Sequence, residues 1–221
     1  MITLHHCVSA RSFRPLWMLE ELGASYELVM HAFPPRVRDE AFLEINPLGT
    51  VPAMFDGHVA MTESAAICQY LAARHPEAGL EVVQDDPAYG DYLNFLHFGE
   101  TTLTFPQTLV LRYGRFEPEH RRLPQVVEDY SRWFLSRLRT LEPRLEREAF
   151  ICAGRFTAAD VSVGYALLLA SVIGLEERFK PAVADYWQRL QARDAFQRAQ
   201  AAEREAALSQ NVSPQPAMQV G

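Results

Sequence analysis

The stretch Asn46-Pro47-Leu48-Gly49-Thr50-Val51-Pro52-Ala53-Met54-Phe55-Asp56-Gly57-His58-Val59-Ala60-Met61-Thr62-Glu63-Ser64 decides the fold. Asn46-Pro47 and Gly49 mark a turn, Val51–Phe55 reads as a strand, Asp56-Gly57 is a hairpin signal and Val59–Met61 is the returning strand. Pro52 is the anomaly, because a proline removes a ladder donor and is confined to the first position of a strand or to an edge. Two readings stand for the Val51–Pro52 bond. One is an ordinary trans turn proline. The other is a cis bond that turns the Val51 N–H and C=O outward at the end of the sheet, where they can pair with an extended peptide. A helix then runs from about Ser64 to His75, with Ala65, Ile67, Cys68 and Leu71 on its buried face and Pro76 just past its end.

Working outward, Ile2–His6 reads as a strand, Ser12–Leu22 as a helix closed by Gly23, and Tyr26–Met30 as a second strand. Pro34-Pro35 forces a loop before the short segment Asp39–Ile45. The order is βαβ followed by a hairpin and a helix, an α/β domain over residues 1–80. The pattern changes at Glu81–Pro87, after which helical periodicity dominates and an all-α bundle is expected over residues 87–208. Its helices are expected at about 87–113, 124–145, 158–173, 182–193 and 195–207. Thr157-Ala158-Ala159-Asp160 has the capping-box arrangement, with Asp160 in place of the usual Glu, and is read as a folding signal. The tail, residues 209–221, contains Pro214 and Pro216 and few large apolar residues, so it is expected to be disordered. The sequence shows no internal repeat.

With 221 residues the chain has room for one large domain or two modest ones, at about 100–200 residues each. Lys+Arg of 21 against Asp+Glu of 28 gives a net charge of −7, and no basic run offers nucleic acid a clustered cationic face. The longest apolar stretch, Val161–Leu175, carries Ser162, Ser171 and two glycines and falls short of the roughly 20 residues a membrane span requires. The first residues lack a cationic segment followed by an apolar core, so no signal peptide is read and a cytoplasmic location is expected. Cys7, Cys68 and Cys152 fit neither a disulfide framework nor a zinc site and are expected to be reduced thiols. His5 and His6 lack an obvious third ligand, so no metal is expected.

Two further segments could carry chemistry. Thr62-Glu63-Ser64 enters a helix, and helix N-termini favour anions. Glu63 adds the opposite preference, so the pair suits a zwitterionic amino-acid head group, with its carboxylate on Ser64 and its ammonium near Glu63. The alternative is a plain cap with a first-turn acid. The loop His5–Arg14 brings Ser9, Arg11 and Ser12 to the sheet end that Val51 occupies, the end where ligands of α/β folds usually lie. Cys7, at a strand end, is read as a packed and inert thiol.

The order of these motifs resembles the cytosolic glutathione transferase family. The resemblance rests on the Ser-bearing loop, Leu19-Glu20-Glu21-Leu22-Gly23, Asn46–Pro52, Glu63-Ser64-Ala65-Ala66-Ile67, Phe156–Val161 and Ala195–Ala199, and covers almost the whole chain. It implies a thioredoxin-like N-terminal domain, an all-helical C-terminal domain, a cis Pro52 and a homodimer with sites at the domain cleft. It also places glutathione contacts on Val51, Pro52, Glu63 and Ser64.

The implied chemistry is activation of the glutathione thiol for attack on a small electrophile. A free thiol near pKa 8.5 is mostly protonated at neutral pH, and one charge-assisted hydrogen bond of roughly 1.5–3 kcal/mol lowers the pKa by about one to two pH units. Ser9 stands five residues before Arg14, as the catalytic serine does in zeta-like members, and is the first candidate donor; Ser12 and Arg11 are its rivals. The chain departs from the family at Ala10, where theta-like members carry serine, at Arg11, where beta-like members carry cysteine, and at Thr50, where Lys or Arg is frequent. The electrophile pocket is expected on the helix bearing Asn94, His97, Phe98, Thr101 and Phe105, which fall on one face and serve equally as core. A glutathione-dependent isomerase or reductase, and a non-catalytic binding or partner protein, are the alternatives on the same fold.

Overall fold

The computed structural model describes residues 1–217, so the last four residues of the expected tail lie outside the described residues. The chain divides into two units: Met1–Glu81 joined by the C-terminal segment from Gln191, and Val82–Leu190.

The first unit runs β1 (Ile2–His6), α1 (Phe13–Leu22), β2 (Tyr26–Met30), α2 (Pro35–Arg38), α3 (Phe42–Ile45), β3 (Ala53–Asp56), β4 (Val59–Met61) and α4 (Ser64–Arg74). The sheet order is β2-β1-β3-β4, with β1 parallel to β2 and antiparallel to β3. This is the thioredoxin-like topology. Helix α1 stops where Gly23 takes a left-handed φ of 59°, and the Gly23 and Ala24 N–H groups close on the Glu20 and Leu19 carbonyls. The one-turn helix α2 occupies the stretch that the proline pair led us to read as loop, because Pro35 at its first turn needs no N–H partner there.

In the second unit, α5 (Tyr89–Phe98) continues through a π-helical turn at Gly99–Thr104 into α6 (Phe105–Leu111) and a second π turn at Arg112–Phe116. The expected single helix is therefore interrupted twice. Pro106 removes a ladder donor near the first interruption, and the Thr104 hydroxyl donates to the Gly99 carbonyl across it. A Cβ on Gly99 would stand 2.5 Å from Ser162, so only glycine permits this approach. Next come α7 (Pro124–Leu138) and α8 (Glu142–Leu145), two helices where one was expected; Pro143 enters the first turn of α8, where its ring is tolerated. Helix α9 (Ala158–Val172) is buried over nearly its whole length and opens on both halves of the capping box between Thr157 and Asp160. Helix α10 (Pro181–Gln191) packs its Tyr186 hydroxyl onto the Asp160 carboxylate at 2.8 Å.

The last helix, α11 (Asp194–Ser209), was expected in the bundle, but its contacts group it with the first unit. Phe196 inserts between Phe13 and Trp17 of α1, with ring centroids 5.5 and 4.9 Å away. Arg193 forms a fork on Glu21 at 2.6 and 2.7 Å, and Arg198 reaches Glu20 at 2.9 Å. Burying Phe196 contributes about 1.5–3 kcal/mol. Helical periodicity located this helix without naming the surface it covers. Two residues past Ser209 also touch the first unit. Gln210 accepts from the Met30 N–H and donates to the Leu28 carbonyl, both at 2.8 Å, while Val212 packs against Val8, Met30 and Ala207. Strand β2 is an edge, and Gln210 satisfies backbone groups the edge would otherwise expose.

Candidate glutathione site

Strand register decides which segments meet. His5 pairs with Ala53, so the end of β1 and the start of β3 share one end of the sheet. Met54 pairs with Met61, which returns the chain after β4 to that same end. Loop Cys7–Ser12, the Val51–Pro52 bond and the Glu63–Ser64 entry to α4 are thereby gathered from three parts of the sequence.

The Val51–Pro52 bond is cis, as is Phe33–Pro34, which the sequence did not flag. The Val51 side chain is buried with Cys7, Phe42 and Ala53, and Ala10 and Phe33 pack on that cluster. Among the described residues no hydrogen bond engages the Val51 N–H or C=O. The turn before it is fixed locally: Asn46 donates to the Thr50 carbonyl at 2.7 Å and accepts from the Leu48 N–H at 3.1 Å. Gly49 has φ 60°, and a Cβ there would stand 2.5 Å from the Arg36 Cβ. Thr50 is exposed.

At α4, Glu63 occupies the N-cap position with an extended backbone and makes no side-chain cap bond. It is exposed. The buried Ser64 hydroxyl accepts from Nη1 of Arg14 at 3.1 Å, and Arg14 is itself fully buried. A plain Ser/Thr cap is not what the helix has. Its N-terminus carries an uncommitted carboxylate at the N-cap and a hydroxyl oriented by a guanidinium, a combination suited to an ammonium beside a carboxylate. Arg14 was noted in the sequence only as a spacing marker; a cation among the apolar residues of α1 was the available signal for its burial.

The loop residues separate. Ser9 is buried with a left-handed φ of 54°, and its N–H donates to Glu203 of α11 at 2.7 Å. A non-glycine residue in that region costs of order 1–3 kcal/mol and needs surrounding structure to hold it. Ala10 packs on the Val51 cluster, of which Cys7 is a member. Ser12 is fully buried, and its hydroxyl meets Nδ1 of His6 at 2.7 Å instead of capping α1. Arg11 is partly exposed. Nε2 of His6 meets Glu203 at 2.7 Å. Neither His6 nor Glu203 was marked as functional in the sequence, because their link spans 197 positions. A second buried chain runs from His5 Nδ1 to His31 Nε2 at 2.9 Å and from His31 Nδ1 to Asp39 at 2.8 Å. Burial, and then His31, hold the His5 pKa below its usual value.

All three cysteines are buried and free. Burial, reinforced by the Glu203 carboxylate, pushes the Cys7 thiol up to about 12. Burial likewise takes Cys68 to about 12 and Cys152 to about 11. In the helical unit, His97 and Thr101 line a cavity of about 330 Å³ with Leu93, Asn94, Phe98 and Thr102. The Thr101 hydroxyl donates to the His97 carbonyl at 3.0 Å. Phe105, expected beside them, is 53% exposed and is not among the residues lining this cavity. The π turn at Gly99–Thr104 shifts the register of the face, which simple helical spacing does not anticipate.

Residues 8–74 match the glutathione S-transferase N-terminal domain. Glutathione S-transferase 3 of Zea mays is 27% identical over 208 residues, covering 88% of this chain and 90% of its own. A glutathione transferase of Methylococcus capsulatus superposes with a TM-score of 0.81 at 27% identity, covering 91% of this chain and 98% of its own. Residues 8–74 thus carry a glutathione S-transferase N-terminal domain, and the chain as a whole is similar to glutathione transferases. Glutathione S-transferase 3 of Schizosaccharomyces pombe is more similar locally, 34% identical over 103 residues, but this chain spans only 43% of its length in that match. Among the described residues, no helix is long and apolar enough to cross a membrane, and no cluster of metal-ligating side chains is present.

Proposed function

We propose that the chain is a glutathione transferase that binds the tripeptide on the thioredoxin-like unit and activates its thiol for attack on a small electrophile. The observation that carries this reading is the pairing of unengaged Val51 main-chain groups with the uncapped Glu63–Ser64 entry to α4 at one sheet end. Val51 offers strand-like hydrogen bonds to the peptide backbone, while Glu63 takes the γ-glutamyl ammonium and Ser64 its carboxylate. Pro52 fixes the direction of the Val51 groups. The sulfur is then assigned to loop Cys7–Ser12. Ala10 offers it no polar side chain, and the Ser12 hydroxyl is engaged with His6. The Ser9 hydroxyl is our first choice of donor because Ser9 stands five residues before Arg14, as the catalytic serine does in zeta-like members, with Arg11 second. The electrophile is assigned to the cavity bearing His97 and Thr101, and Phe105 is left out of that assignment. A homodimer is the proposed working form, following the family. A thiol–disulfide reductase is disfavoured because burial keeps all three thiols protonated near neutral pH.

Calorimetry of glutathione binding tests the site. Replacing Glu63 and Ser64 together by alanine removes charge-assisted bonds and is expected to weaken binding at least about tenfold. Unchanged affinity in that variant would refute the assignment. Turnover of an aryl halide by the unaltered chain separates an enzyme from a binding protein.

A further inference from the structure

Glu203 sits on α11, far in sequence from the loop that the glutathione reading makes catalytic, and one of its oxygens serves two donors. Oε2 accepts from Nε2 of His6 at 2.7 Å and from the Ser9 N–H at 2.7 Å. A carboxylate only accepts, so His6 presents Nε2–H to it and keeps Nδ1 as the acceptor for the Ser12 hydroxyl at 2.7 Å. The Ser12 oxygen in turn receives the Cys7 N–H at 3.4 Å. Both ends of the loop thus converge on one side chain of the last helix. Ser9 itself is held in a left-handed backbone that a non-glycine residue adopts only under constraint. All members of this network are buried, Ser12 and His6 completely.

We propose that Glu203 is a positioning residue for thiol activation: by gripping the Ser9 N–H and His6, it sets where the Ser9 hydroxyl stands relative to the bound sulfur. The proposal rests on the glutathione reading above. It makes a sign prediction, because the Glu203 carboxylate has two opposed effects. Its charge disfavours a nearby thiolate, while its hydrogen bonds place the donor that favours one. Glutamine keeps an oxygen able to receive both donors and removes the charge. Alanine removes both, and aspartate keeps the charge while withdrawing it by one methylene.

The experiment titrates the bound glutathione thiol by its thiolate ultraviolet absorbance in the full chain, alongside kcat and glutathione affinity. In Glu203→Ala the bound thiol is expected to titrate at higher pH. The kcat at neutral pH should fall about tenfold or more, since small misplacements of catalytic groups cost up to about a hundredfold. Glutathione affinity should change less than about twofold, because Val51, Glu63 and Ser64 are untouched. Glu203→Gln should titrate at or below the pH of the unaltered chain and recover most of the kcat. If the alanine variant does not fold, Glu203→Asp carries the same expectation of a raised thiol pKa. A thiol pKa that falls in every folded variant would mean that only the charge acts, and an unmoved pKa and kcat would mean that the contact serves packing alone; either result overturns the proposal. Failure of the unaltered chain to bind glutathione would instead overturn the transferase reading, and this proposal with it.

Discussion

The two units bury polar groups for different ends. In the helical unit, Asp160 is enclosed by donors from three directions: Ile151 N–H at 2.9 Å, Thr157 N–H at 2.8 Å and the Tyr186 hydroxyl at 2.8 Å. Every one of them fastens the start of α9 to its neighbours, and none faces the cavity lined by His97 and Thr101. In the thioredoxin-like unit the buried groups form chains, His5–His31–Asp39 and Ser12–His6–Glu203, that tether the loop after β1 and the segment around α2 beside Val51. The first network closes on itself and serves folding. The second fixes the segments that flank Val51 at the sheet end.

The largest test of that contrast is Asp160→Ala. Four buried donors, the Thr157 hydroxyl at 3.2 Å among them, lose their acceptor, at about 1–3 kcal/mol each, so destabilisation of at least about 3 kcal/mol is expected in chemical denaturation. Glutathione binding by the fraction that remains folded should be unchanged, since the site belongs to the other unit; a loss of affinity would break the separation of roles.

A smaller effect is expected at Ser9. Ser9→Ala should raise the pKa of bound glutathione by about one to two pH units while affinity stays nearly constant. Turnover lost at neutral pH should partly return at alkaline pH, where the thiolate forms unaided. Ser12→Ala is the comparison: it removes the acceptor for a Cys7 N–H and the donor to His6, so its main effect should appear in thermal stability. If Ser12→Ala moved the thiol and Ser9→Ala did not, the donor would lie at the start of α1.

The smallest and most discriminating effect concerns mild acid. Burial raises Asp160 from 3.8 to about 6, so the folded helical unit takes up its proton before the unfolded chain does. Its stabilisation is full below the unfolded pKa and is lost as pH rises through about 6; lowering pH from 7 to 5 should therefore favour this unit by about 1 kcal/mol. His5 has the opposite sign. Its folded pKa lies below 6.5, so its contribution is present above that value and declines as pH falls through the folded pKa. Hydrogen exchange resolved by segment at pH 7 and pH 5, with intrinsic rates corrected, should show β1 losing protection relative to α9. Equal change in both would show that these two groups do not govern the acid response.

Much of this molecule follows from the order of residues along the chain. Strand alternation, the Asp56-Gly57 turn, Gly23 after α1 and the Thr157–Asp160 box each depend on neighbours a few positions apart, and each element stands where its local chemistry puts it. Val51–Pro52 and Glu63–Ser64 were legible for the same reason, since a proline opening a strand and an acid before a helix are local oddities. What the tertiary structure alone decided was partnership. Helix α11 reads as amphipathic, yet nothing local says that Phe196 will fill the space between Phe13 and Trp17. The Ser12 hydroxyl reads as a rival thiolate donor, yet nothing local says that His6 will meet it across the loop. Arg14 is only a spacing reference in the sequence, and burial brings it to Ser64, 50 positions away. Periodicity reports which face of an element is apolar and which residues are polar, but the energy of a buried hydrogen bond depends on the atom opposite, and that atom is chosen by the fold.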